Sequence, residues 1–292
     1  VAEAALNDGE GGRLRRRFTN LQTAIDADRD GGATLQLLAD VTGDYTIDGT
    51  QDTGLNLNGH CIKGTVTVKA AAGSNTTTFS NTQNTTSVGI DAVVAHRGAK
   101  LAGSKYPAVI GVLTLAEGAT WKNILNLKTL GYKVLNADGT HKWYAPDDVN
   151  GSQLNNVIIN SLPITTKTLN LKVDGKNLTG NSPKVERGTT VLLCANCNAK
   201  DADVAIYVGE IGGDGIPTYS QKKAEYKKIG TMWYYVVDFD ADTIGTYSIY
   251  FTASKDGYSV SSNPKMLTVT KLNLSKAVIT FPNGNESVYQ PY

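Results

Sequence analysis

Acidic residues cluster twice in this chain, and each cluster has a spacing that could hold a cation. Asp26-Ala27-Asp28-Arg29-Asp30-Gly31 opens in the D-x-D-x-D-G order of a Ca²⁺ loop. Its twelfth position is Leu37, where such a loop places a bidentate Glu. The same acids also end an expected helix before a glycine stop, where carboxylates oppose the helix dipole and a bound Ca²⁺ would offset them. Asp26, Asp28 and Asp30 are therefore the candidate metal ligands, and no other cofactor is implied. Asp238-Phe239-Asp240-Ala241-Asp242 alternates so that its three carboxylates share one strand face. It reads equally as a solvated strand end before the turn at Gly245.

Aromatic residues supply the binding chemistry. Trp143 and Tyr144 lie in the polar stretch 138–148 with Asp147 and Asp148, and no alternating apolar neighbours accompany them. Exposed rings beside acids and amides suit stacking on sugar faces, which makes these four the candidate ligand-binding residues. The competing reading folds the stretch back so that both rings become a lid. Trp233-Tyr234-Tyr235 alternates inside a strand, so Trp233 or Tyr234 is expected in a core, and Trp121 likewise.

Catalytic constellations are sparse. Asp91, His96, Arg97 and Lys100 are the residues closest to a polysaccharide lyase set of base plus cationic charge, and they read equally as the polar corner of one coil. Cys194 and Cys197 have CxxC spacing, but residues three apart on a strand face opposite ways, which opposes a disulfide or a shared metal. Cys61 stands alone, and His60 beside it is expected to hydrogen-bond backbone in a turn. No GxSxG, HExxH, P-loop or dinucleotide fingerprint occurs. The chain is read as a non-enzyme.

Composition bounds the rest. With 292 residues and 40% hydrophobic content, the chain can bury more than one core. A formal net charge of +1 gives no general attraction to nucleic acid. No apolar run approaches the roughly 20 residues that span a bilayer, so no membrane insertion is expected. The chain starts at Val1 without Met and stops inside a motif, which reads as a piece of something longer.

The elements that position these residues are mostly strands. Val1 to Leu6 and Arg13 to Phe18 read as a hairpin whose second arm is basic, an edge strand guarded by charge or a surface for an anion. Thr19 or Asn20 can cap one short helix from Leu21 to about Arg29. Apolar runs then recur: from Val66 to Val88 to Ile110 the step is 22 residues, near one coil of a parallel β-solenoid. Later steps are irregular, and roughly five or six coils would fill the region. The expected architecture is all-β: a right-handed parallel β-helix over 1–164, then an immunoglobulin-like β-sandwich over 165–271, whose seven or so strands fit that fold's size. In it, Gly245-Thr246-Tyr247-Ser248-Ile249 resembles a tyrosine corner, with Ile249 where antibody domains carry Cys. Residues 272–292 read as the start of a further repeat or an extended tail.

Three segments, Leu21 to Ala27, Thr34 to Val41 and Leu55-Asn56-Leu57-Asn58-Gly59-His60, resemble a known opening. It is that of β-helical, pectate-lyase-like modules in modular surface proteins and adhesins of Gram-positive gut bacteria. Asn56 replaces the usual Asp and Cys61 the usual Thr. Lys271 to Thr280 is similar to the first strand of the immunoglobulin-like repeats that follow such modules. The resemblance implies an extracellular, cell-wall-associated fragment that binds a glycan or a host or bacterial surface protein, flanked by neighbouring domains, without a family mechanism of catalysis. A passive stalk displaying other domains is the alternative, and a polysaccharide-cleaving β-helix the second.

Overall fold

Alternation of apolar and polar residues, with glycine at the corners, builds most of this molecule. The computed structural model describes residues 2–7, 13–27, 34–273, 278–280 and 286–288. It divides into two compact units, Val1–Leu162 and Pro163–Tyr292. The chain is all-β with 4% helix, and the first unit is a β-solenoid of about 4 turns.

β1 (Ala2–Asn7) and β2 (Arg13–Phe18) form an antiparallel hairpin, followed by α1 (Leu21–Asp26). The helix starts at Asn20, whose side chain accepts the Thr23 N–H, and it buries Leu21, Ala24 and Ile25. It ends at Asp26 with Ala27 as its cap, shorter than the expected run to Arg29. Then come β3 (Thr34–Leu37), β4 (Val41–Thr42), β5 (Tyr45–Ile47), β6 (Thr53–Asn56), β7 (Ile62–Val68), β8 (Thr77–Ser80), β9 (Val88–Ala95), β10 (Leu101–Ala102) and β11 (Val109–Leu115). β3, β6, β8 and β10 stack in parallel as one sheet; β4 and β5, then β7, β9 and β11, stack in parallel as the other.

Stacking puts like on like. Leu35 lies opposite Leu55 and Leu55 opposite Phe79, while Ile62, Ile90 and Ile110 form a second column and Val66, Val93 and Leu113 a third. All are buried in one continuous core, and each contributes roughly 1.5–3 kcal/mol of hydrophobic stabilisation. Corners are tied from coil to coil by side chains: Asp40 accepts the Cys61 N–H at 3.1 Å, Asp44 that of Thr65 at 2.8 Å, and Asp52 that of Thr76 at 2.7 Å. These bonds satisfy backbone donors that no strand reaches. Gly64, at φ 143°, lets the chain pass the Gly43 carbonyl, which a Cβ would approach to 2.2 Å.

The parallel stack is shorter than the five or six coils expected. Asn123 to Leu127 contributes a single parallel bridge, Leu101 to Leu125, in place of a strand. Beyond it the chain doubles back. β12 (Leu130–Leu135), β13 (His141–Tyr144) and β14 (Gln153–Ser161) pair antiparallel, and β14 runs antiparallel on β11. The Asp138-Gly139 turn drives this reversal: Gly139 takes φ 82°, and the Asp138 carboxylate accepts both the N–H and the hydroxyl of Thr140.

In the second unit follow β15 (Thr168–Val173), β16 (Lys176–Asn177), β17 (Lys184–Glu186), β18 (Thr190–Asn196), β19 (Asp203–Ile211) and β20 (Pro217–Lys223). They continue in β21 (Glu225–Ile229), β22 (Met232–Asp240), β23 (Gly245–Lys255), β24 (Tyr258–Ser261) and β25 (Lys265–Thr270). One sheet has the order β16-β15-β18-β22-β21, and the other β17-β25-β23-β19-β20 with β24 on β23. The two sheets share one core. Leu169, Leu171, Val191, Leu193, Tyr235 and Phe239 from the first meet Val204, Ile206, Ile249, Phe251 and Leu267 from the second. β26 (Val278–Thr280) and β27 (Glu286–Val288) form an antiparallel pair.

Candidate functional site

The stretch expected to expose Trp143 and Tyr144 is a strand, and this corrects the reading of Trp143 as an open ring. β13 pairs with β12 so that Trp143 faces Lys133 and Tyr144 faces Tyr132 across the ladder. Trp143 is 7% exposed, and Tyr144 is half-buried against the solenoid core. Each ring carries a lysine: Lys133 Nζ lies 5.6 Å from the Trp143 centroid and Lys142 Nζ 4.7 Å from that of Tyr144. Consecutive strand residues face opposite ways, so the two rings do not close together as one lid: Trp143 is buried, and Tyr144 packs partly buried against the solenoid core. Asp147 and Asp148 occupy a single exposed 3-10 turn, and Asp147 sits 3.3 Å from Lys122. The four residues are neighbours in sequence but do not converge on one surface.

Asp26 accepts a hydrogen bond from Gln22 one turn earlier, at 2.9 Å. Asp28 and Asp30 lie outside the described residues. Among the described residues, no group of three or more His, Cys, Asp and Glu is placed to hold a metal. Asp238, Asp240 and Asp242 are exposed, and Asp240 accepts from the Thr190 hydroxyl at 2.7 Å.

Asp91, His96 and Arg97 are exposed, the first within β9 and the others at the corner after it. Lys100 donates to the Asn123 carbonyl of the next coil at 2.6 Å. Arg97 lies over Gly118, where an added Cβ would meet its Cδ at 3.3 Å. Lys100 thus ties its coil to the next. The His60 side chain meets a carboxylate rather than backbone, its Nδ1 being 3.4 Å from Asp40 Oδ1. Cys194 faces a small outer cluster with Tyr234 and Val236, and Cys197 faces the main core. Both are free, and burial pushes the Cys194 thiol up to about 11 and raises that of Cys197.

Exposed rings lie on the second unit, where sequence alternation placed either Trp233 or Tyr234 in a core. Gly230 and Thr231 make a two-residue turn, with Gly230 at φ 62°, joining β21 to β22 as a hairpin. Its register places Tyr226 opposite Tyr235 and Lys228 opposite Trp233. Tyr226 and Trp233 are thus a diagonal cross-strand pair, and their rings stack at 5.0 Å with an interplanar angle of 16°. Tyr226 also meets Tyr235 at 4.7 Å. Tyr235 is fixed in turn: its hydroxyl donates to the Ala199 carbonyl at 3.0 Å and accepts the Ala202 N–H at 2.9 Å. The three rings form a ladder from the core to solvent, ending in Trp233, which is 52% exposed. Tyr234, the alternative core residue, is buried in the outer cluster. The usable signal was the lysine-rich β20–β21 run beside a glycine turn, which marks an edge where the core stops.

No family model and no curated protein matches this chain. It is similar to the crystal structure of chitinase ChiW from Paenibacillus sp. str. FPU-7, described as a bacterial cell-surface-expressed multi-modular enzyme machinery. Identity is 12%, the match covers 78% of this chain and 23% of that one, and the TM-score is 0.22. This chain therefore spans less than a quarter of that protein's chain, and a likeness at this level carries no argument about function.

Proposed function

We propose that this chain is a fragment of a non-catalytic, extracellular, cell-wall-associated surface protein that binds glycan through its second unit. The observation that carries the reading is the Trp233–Tyr226 stack at the open edge of β21 and β22. A sugar presents a C–H face to an aromatic ring, and the contact is strongest when the ring is already held in place. Trp233 is held by Tyr226, and Tyr226 by Tyr235. Lys228, opposite Trp233, adds donors for sugar hydroxyls.

The second unit is read as immunoglobulin-like. Across the sheets β15, β18, β22 and β21 correspond to strands A, B, E and D, and β25, β23, β19 and β20 to G, F, C and C′. The Tyr247 hydroxyl donates to the Thr243 carbonyl, four residues upstream, at 2.9 Å, as a tyrosine corner requires. The first unit is read as a right-handed β-helix, the hand that parallel crossovers take. A non-catalytic role is supported by the bond of Lys100 to the adjoining coil. A passive spacer is the second reading, favoured by corners whose polar groups bond to the next coil.

The test is binding of the purified protein to a broad glycan array, beside a Trp233→Ala variant. Specific hits that weaken tenfold or more in the variant, about 1.4 kcal/mol, are expected. An array blank for the native protein would sink the reading in favour of the spacer, as would hits indifferent to Trp233.

A further inference from the structure

The β21–β22 hairpin divides its charges by face. Tyr235 and Phe239 belong to the core, so alternation puts Trp233 and Val237 on that same face of β22. Pairing adds Tyr226 and Lys228 from β21, which lie opposite Tyr235 and Trp233. Glu225 and Lys227 fall on the other face, opposite Val236 and Tyr234, and Asp238 and Asp240 follow Val236 there by alternation. Every carboxylate of the two strands is therefore on the face that Trp233 does not share. Asp201 acts on the ladder of rings only at its Tyr235 end.

The two lysines of β21 consequently differ. Lys227 Nζ lies 2.6 Å from Glu225 Oε2, and that bond, with Asp238 beyond it, raises the lysine pKa. Lys228 is exposed, stands opposite Trp233, and pairs with no carboxylate among the described residues. The run from Lys222 to Lys228 holds four lysines against one acid, so the whole edge is positive. Lysines that only kept other chains off an open edge would serve on either face. Here the cation beside the exposed rings is the one left without a counter-charge. A sugar stacked on Trp233 sets the groups at its own ring edge next to that ammonium.

We propose that the Trp233 site takes an acidic glycan, whose carboxylate or sulfate meets Lys228 while a sugar ring stacks on Trp233. This substrate class rests on the glycan reading above. The experiment titrates the intact protein with oligogalacturonate, hyaluronan and alginate fragments, each beside its methyl ester, and with a sulfated galactan beside its desulfated form. At least one acidic member should bind about threefold or more tighter than its neutral counterpart, the scale of one exposed charge pair. That margin should shrink as salt rises from about 0.05 to 0.5 M. The arm that binds names the anion as carboxylate or sulfate. Lys228→Gln should cut the margin below about twofold, whereas Lys227→Gln, on the paired face, should leave it intact. Trp233→Ala should weaken acidic and neutral forms alike. No acidic member bound, neutral counterparts bound as tightly, or a margin that Lys228→Gln spares or Lys227→Gln removes equally would overturn the acidic preference and leave the Trp233 reading standing. Binding indifferent to Trp233→Ala would overturn that reading, and the acidic class with it.

Discussion

Both units bury aromatic rings, but only the second also carries a tryptophan at its surface. In the first unit Trp121, Tyr132 and Trp143 are all buried, and they gather where the parallel stack gives way to antiparallel strands. There Trp121 meets Tyr132 edge to face at 5.1 Å, donates its indole N–H to the Gly151 carbonyl, and receives the Tyr132 hydroxyl on its own carbonyl. In the second unit Trp233, Tyr226 and Tyr219 are exposed. The difference follows from how each fold ends. A solenoid must close its last coil, and large rings plug the open cross-section. A pair of sheets closed on one core leaves its edge strands at solvent, so rings near a hairpin tip have nothing further to cover. Both tryptophans of the first unit are thus structural, while the second unit keeps Tyr235, Phe239, Tyr247 and Phe251 in its core and leaves Trp233 at solvent.

Truncating one tryptophan in each unit gives the largest contrast. Trp121→Ala removes a buried ring and its hydrogen bond, with an expected loss of about 3–5 kcal/mol. Trp233→Ala should change stability by less than about 1 kcal/mol, since half of its surface is already wet. Hydrogen exchange read by mass spectrometry resolves the two units: protection should fall across 34–161 in the first variant and stay native in both units in the second. Equal losses would break the comparison.

A finer version compares two hydroxyls. Tyr132 is fully buried, with its hydroxyl 2.6 Å from the Trp121 carbonyl, and desolvation holds its phenol far above the usual range. Tyr247 makes the 2.9 Å bond to Thr243, and burial raises its phenol as well. Tyr132→Phe leaves a carbonyl unpaired inside the cap and should cost about 1–3 kcal/mol. Tyr247→Phe acts at a turn that water can reach and should cost about 0.5–1.5 kcal/mol. Chemical denaturation followed by hydrogen exchange gives both; the reverse order would mean that the corner of the second unit, and not the solenoid cap, carries the greater strain on loss of a hydroxyl.

What the sequence made legible was burial, and what it hid was direction and extent. Leu35, Leu55, Leu57 and Ile62 alternate, and they are buried as alternation requires. The 22-residue step held only as a mean: Val66 pairs with Val93, not Val88, because the corner after β7 is long and β7 itself is bulged near Gly64. Apolar periodicity is the same for parallel and antiparallel strands, so the reversal after Leu135 left no mark except the Asp138-Gly139 turn. Alternation puts Trp233 and Tyr234 on opposite faces but does not say where the core stops, and so it left open which of the two is buried; it is Tyr234. In His141–Tyr144 the strand was too short and too polar to announce itself.

The smallest effect separates the two units by acid. Asp40 ties two coils together, and its backbone bond to Cys61, with His60 beside it, holds its carboxyl below the usual range. Glu225 in the second unit is likewise lowered, by Lys227 two residues away on the same strand. A carboxyl whose folded pKa lies below its unfolded value of about 4 lends stability that is fully present above that value. The contribution is lost as pH falls through the folded pKa, because the unfolded chain binds the proton first. Both groups act in the same window below about pH 4, but on different structures. Asp40 joins residues 21 apart in sequence, whereas Glu225 and Lys227 pair along one exposed edge, where ion pairs contribute little. Asp40→Asn keeps an oxygen for the Cys61 N–H and removes the charge. It should flatten the acid slope of first-unit stability by lowering the value at neutral pH towards the acid one, and Glu225→Gln should leave both units nearly as they were. Urea melts at stepped pH, read by unit-resolved hydrogen exchange, check this; a first-unit slope indifferent to Asp40→Asn would remove the corner carboxylate from the account of how the coils are held.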